Sequence, residues 1–242
     1  MKLPSLLGVV VVLAGCGSAP PSPSSGASEA LVLRQETAHF RILAGDVSAI
    51  VWTDVLQRLE SNYARVMEDL SVVSLDQVTV RIWSNETVFR DELERVLGTR
   101  YAAAGYVMPN RELRVLAVPN VGINAVHEFC HVVTMAVQAN VANNPRWLWE
   151  SVALYENGEL VDPRSWPFLA NGPYPTLEQL NADPNSSLEI YRVGYTLAEF
   201  IVNRFGRGAL LQLIRARGDV PGVLGVSLAD FQSQWVAYVH AR

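Results

Sequence analysis

Hydrophobic positions change their period along this chain. In the first half they alternate or cluster in short runs. Val78-Thr79-Val80-Arg81-Ile82-Trp83 alternates with period two and is rich in β-branched residues, the pattern of a half-buried strand. Leu31-Val32-Leu33 and His39-Phe40-Arg41-Ile42-Leu43 read as two shorter strands, and Arg111 to Val118 as another, ended by Pro119-Asn120. Tyr101 to Met108 reads as a connecting segment or a weak strand. Two helices interrupt this region. Ser48 to Leu70 places Val51, Val55, Leu56, Leu59, Tyr63, Val66 and Met67 at helical spacing, with Ser48 as a candidate cap. Asn85 is positioned to cap a helix from Glu86 to Leu97 that carries Phe89, Leu93 and Leu97 on one face.

Beyond Asn120 the period is helical throughout. Asn120 is a candidate cap for a helix from Val121 to about Gln138, and Pro145 precedes a second, Arg146 to Tyr155, closed by Asn157-Gly158. A turn-rich stretch through Pro163, Pro167, Gly172, Pro173 and Pro175 follows, in which the pattern assigns no place to Trp166 or Phe168. Ser187 to Phe205 is a third helix with Gly206 as its C-cap. Leu210 to Ile214 and Leu228 to Tyr238 complete the set. Strands first and helices last define an α+β protein: a small N-terminal mixed sheet with helices, followed by a mostly helical half.

The N-terminal residues stand outside that plan. Met1-Lys2 carries one positive charge and Leu6 to Ala14 is apolar, too short for a membrane-spanning helix of about 20 residues. Residues 1–15 therefore read as an export signal. Leu13-Ala14-Gly15-Cys16 resembles the bacterial lipobox, which implies that Cys16 becomes the lipidated first residue of the mature chain, anchored to a bacterial membrane with its globular domain outside the cytoplasm. The Ser-, Pro- and Gly-rich residues that follow give 16–29 the composition of a flexible tether. One folded domain is expected over 30–242, with no second linker and no repeat.

Charge narrows the partners. The chain holds 19 Lys and Arg against 24 Asp and Glu. Without Lys2 every remaining cation is arginine, with no basic block, so nucleic acid is excluded as an expected partner. With Cys16 lipidated, Cys130 has no disulfide mate and is expected as a buried thiol rather than a metal ligand.

The chemistry is concentrated in His127-Glu128-Phe129-Cys130-His131, an H-E-x-x-H sequence, and in Glu150 of Trp147-Leu148-Trp149-Glu150-Ser151. Histidines four apart on a helix share a face, so both rings can reach one ion. Two imidazoles and a carboxylate leave a tetrahedral Zn2+ with one open position, the composition of a catalytic site. Glu128 is then placed to act as general base on a zinc-bound water.

These motifs resemble the gluzincin branch of zinc peptidases, in which a glutamate on the next helix completes the ligand set. Residues 132–149 separate His131 from Glu150. Trp147 to Tyr155 is similar to the W-L-x-E-G-x-A-x-Y segment of bacterial peptidase-MA-like domains, with Ser151 replacing glycine. His39-Phe40-Arg41-Ile42, Ala104-Gly105-Tyr106 and Tyr191-Arg192-Val193-Gly194-Tyr195 through Gly206 resemble other parts of that family. The resemblance implies a zinc metallopeptidase acting on a peptide or protein in extended conformation. It further implies a substrate strand on a free sheet edge, mapped here to Leu113 to Val118, and an oxyanion-stabilising tyrosine, Tyr191 or Tyr195. Val118-Pro119-Asn120 stands where aminopeptidase members carry an amine-gripping segment, which points to an endopeptidase. Two other functions are compatible with the sequence: an inactive envelope lipoprotein with a binding or structural role, and a zinc hydrolase of non-peptide amides or esters.

Overall fold

The computed structural model describes residues 11–12, 28–98, 103–158, 160–182 and 189–242. Most of the expected signal region, Cys16 and the tether up to residue 27 lie outside the described residues. The architecture is α+β, with a mixed sheet on the N-terminal side and helices dominating the remainder. Two compact units can be separated, residues 1–63 with 75–132 and residues 64–74 with 133–242.

The first unit is built on a sheet. Its strands are β1 (Val11–Val12), β2 (Val32–Glu36), β3 (Phe40–Ala44), β4 (Val78–Trp83), β5 (Ala103–Met108) and β6 (Glu112–Leu116), in the order β1-β5-β6-β4-β3-β2. The central β3, β4 and β6 run parallel, joined by crossovers that contain α1 (Ala49–Asp69) and α2 (Glu86–Leu97), while β2 and β5 pair antiparallel on either side. Alternation decides which side chains enter the core: Phe40, Ile42 and Ala44 of β3 lie in register with Val78, Val80 and Ile82 of β4, and all six are fully buried. Helix α2 has the expected bounds because both ends are marked. The Asn85 side chain accepts from the Val88 N–H, and Gly98 closes the helix in the left-handed conformation at φ 73°.

Two sequence expectations change here. The strand at Leu113 to Val118 has no free edge, because β6 is hydrogen-bonded to β4 on one side and β5 on the other. The flanking strand is β5, read from sequence as weak because its Ala103-Ala104-Gly105 lacks branched side chains. Among the described residues, the two of β1 pair with it on its outer side. The described residues include 28–29, at the end of the expected tether. The Glu29 carboxylate accepts hydrogen bonds from the Ser84 and Asn85 N–H groups and the Ser84 hydroxyl.

Helix α3 (Val121–Val137) begins at Asn120, whose left-handed backbone (φ 67°) turns the chain and whose carbonyl accepts from Ile123 and Asn124. Its residues are buried on almost every face, as expected of a helix apolar all round.

The second unit is helical. It holds α4 (Arg146–Glu156), α5 (Pro167–Ala170), α6 (Leu177–Leu180), α7 (Ile190–Phe205), α8 (Arg207–Arg215), α9 (Val220–Leu224) and α10 (Leu228–Ala241). The proline-rich stretch folds into a 3-10 turn at Pro163–Ser165 and then α5. Trp166 and Phe168 flank the Arg192 guanidinium at 4.4 and 5.1 Å from their ring centres. Helices α4 and α7 pack closely at Gly194, where a Cβ would lie 2.8 Å from Leu154 Cδ1 and 3.3 Å from Ser151 Oγ. Among the described residues no helix is long and apolar enough to cross a membrane.

Candidate metal centre

The rotation of α3 follows from one aromatic contact. Phe129 packs edge-on against Phe40 at 5.3 Å and stacks on Tyr63 at 5.6 Å between ring centres. Residues two positions away on a helix point about 200° round the axis. Anchoring Phe129 in the core of the first unit therefore turns His127 and His131 together to another side. Their rings lie 4.7 Å apart and nearly perpendicular. Glu128, between these two directions, faces β5: its carboxylate lies against Gly105 and is fully buried.

Glu150 sits in the first half of α4. The N-terminal end of that helix is held by the Asn181 side chain, which accepts the Trp147 N–H at 3.0 Å, and by Arg146, which donates to the carbonyls of Leu180 and Ala182. Ser151 donates to the Trp147 carbonyl at 2.6 Å and so satisfies its hydroxyl within the helix.

His127, His131 and Glu150 come together. One potential ligand atom from each lies within 4.8 Å of the others, and all three residues are buried, at 3 %, 0 % and 0 % exposure. Two imidazole nitrogens and a carboxylate oxygen so gathered lie close enough to hold one divalent ion. The donor set suits zinc but does not by itself fix the identity of the metal. Cys130 is fully buried and is not a member of the donor group, as its position on the helix led us to expect.

The two tyrosines lie at different points along α4. Tyr191 packs on Arg146, whose guanidinium carbon is 5.6 Å from its ring centre. Tyr195 packs on Tyr155 at 5.3 Å. Burial, with the nearby Glu199 charge, pushes the Tyr195 hydroxyl above its ordinary range, so it remains a proton donor at neutral pH. A separate cavity of about 400 Å3 lies in the first unit, bordered by Glu29, Arg81, Trp83, Glu92 and Arg95. It shares no residue with the donor group, and Arg81 and Arg95 are already paired with Glu112 and Glu92.

Sequence reading gave Gly105 no role beyond its part in the resemblance, and it passed over Glu156. A glycine inside a strand is the usual signal of a close backbone approach, and it was there to be read. Glu156 gave no such signal. Compared with protein-family models and with curated proteins, the chain matches none of either.

Proposed function

We propose that this chain is a zinc-dependent endopeptidase of gluzincin type. The observation that carries the reading is the buried group of His127, His131 and Glu150, with Glu128 buried on the same helix. His127, His131 and Glu150 would hold the ion. When bound, zinc supplies a Lewis acid that polarises a carbonyl and lowers the pKa of water. The residues of the chain do the rest. Glu128 accepts the proton of the attacking water and returns it to the leaving amine. Its buried setting keeps bulk water from competing for that proton. β5, the strand that carries Gly105 against Glu128, pairs with β6 on one side and with β1 at Ala103 and Gly105 on the other, so a peptide adding as a strand would have to pair along Tyr106 to Met108. We further propose that the mature chain is exported and held at a bacterial membrane through lipidated Cys16. The wild-type protein should fractionate with membranes and Cys16→Ala should not.

The deciding experiment incubates the purified protein with a mixed peptide library, with and without chelator, beside Glu128→Gln. Cleavage products should appear only without chelator, and Glu128→Gln should bind metal yet turn over about 10²–10⁴-fold more slowly. Full activity in that variant would remove the general-base role. Hydrolysis of ester or non-peptide amide probes alone would move the protein to a different class of zinc hydrolase.

A further inference from the structure

We propose that Gly105 is a positioning residue for Glu128, its missing side chain being the space that the carboxylate occupies. The inference rests on the reading of Glu128 as the proton acceptor, and its geometry lies wholly within the first unit. A methyl carbon placed on Gly105 would stand 2.5 Å from Glu128 Oε1, 2.9 Å from Cγ and 3.0 Å from Cδ. All three distances are well inside the roughly 3.5–4.0 Å at which non-bonded carbon atoms rest. The three nearest obstacles all belong to this one side chain, so the closest conflict is between residues 105 and 128. Gly105 is held on its other flank by pairing with Val115 of β6, whose side chain is fully buried, so β5 has little freedom to retreat. The carboxylate is the movable member, being the far end of a flexible side chain. Any side chain at position 105 would therefore rotate the carboxylate out of its present place while leaving the fold nearly intact.

That separation makes the idea testable. Gly105→Ala, Glu128→Gln, Glu128→Ala and the Gly105→Ala double variants with each are compared in the full chain by thermal unfolding, zinc titration and hydrolysis of a peptide found by the library screen. Gly105→Ala should keep its affinity for zinc within about threefold and lower kcat at least tenfold with little change in KM, because only the transition-state proton transfer is displaced. Added to Glu128→Gln it should lower kcat no further, since both changes act through one carboxylate. A crystal structure of Gly105→Ala should show the Glu128 carboxylate displaced from its wild-type position. Where the alanine instead lowers the melting temperature, the loss should vanish in the Glu128→Ala background, which removes all three colliding atoms. An unmoved carboxylate, an unchanged kcat or a melting loss that persists in Glu128→Ala would each overturn the inference. If Glu128→Gln and Gly105→Ala both retain full activity, the reading of Glu128 fails as well.

Discussion

Helix α4 carries two buried carboxylates six residues apart, and the chain treats them differently. Glu150 and Glu156 are 0 % and 1 % exposed. At Glu156 the charge is answered by cations of the protein. Arg207 approaches Oε1 at 2.8 Å and Arg65 approaches Oε2 at 3.1 Å, while Asp69 ties both arginines from the other side at 3.3 Å. At Glu150 the neighbours that could share an ion with it are the imidazoles of His127 and His131. Six residues turn the helix through about 600° and advance it about 9 Å, so the two carboxylates face different surroundings. One helix thus carries a carboxylate paired with arginines and another grouped with two histidines.

Removing ligands is the strongest way to test this contrast. His131→Ala or Glu150→Ala should weaken zinc binding by more than the roughly 10–100-fold typical of losing an outer partner, while Glu156→Gln leaves it within a few-fold. Isothermal titration with zinc checks all three, and equal losses at Glu150 and Glu156 would erase the distinction. Next in size, Arg207→Ala should cost stability at pH 8, where it leaves a charged Glu156 with Arg65 as its remaining cation, by less than the roughly 3 kcal/mol of a fully broken buried pair, and much less at pH 5. Denaturant unfolding at the two pH values measures this.

Glu156 itself gives a pH dependence with a definite sign. Burial pushes its carboxyl up to about 7, with Arg207 pulling the other way and Asp69 adding to the rise. A folded-state value above the ordinary 4.5 means that folding favours the protonated form. Its contribution to stability is complete below about pH 4.5 and is lost as pH rises through about 7. Glu156→Gln does not ionise, so its stability relative to wild type should climb across that window by on the order of 3 kcal/mol. A difference that stays flat between pH 4.5 and 8 would contradict the assignment.

How much of this was legible beforehand depended on the range of the forces involved. The bounds of α2 were readable because Asn85 and Gly98 sit beside the turns they close. The three proposed metal ligands were readable because the spacing of His127 and His131 is a property of one helix and Glu150 lies in an aromatic-rich segment on the next. The place of β6 in the sheet was not readable, since a period of two says which side chains point inward but not which strands lie alongside. Glu156 was invisible because its partners Arg65 and Arg207 are 91 and 51 residues away. Trp166 and Phe168 were unplaced for the same reason, as the Arg192 guanidinium they flank comes from a distant helix.

The smallest expected effect concerns the tyrosines, which divide along the same helix. Tyr191 packs on Arg146, before Glu150, and Tyr195 on Tyr155, beside Glu156. If the two ends differ in role, Tyr191→Phe should lower kcat by up to about 10²-fold with KM nearly unchanged, and Tyr195→Phe by only a few-fold. Steady-state kinetics on one peptide separates them; the reverse order would make the Tyr155 end the reactive one.

The ion pairs at Glu156 and Glu112 share one trait: every cation in them is a guanidinium. Arg207 reaches Glu156 and Asp69 at once, and Arg114 reaches Glu92, Glu112 and the Tyr106 hydroxyl, forks that a single ammonium does not form. Lys2 is the sole lysine of the chain. Residues 3–242 therefore offer no side-chain primary amine to acylating reagents, aldehyde fixatives or lysine-directed crosslinkers. Attachment chemistry directed at side-chain amines has no target in residues 3–242, and lysine-specific proteases find no site there.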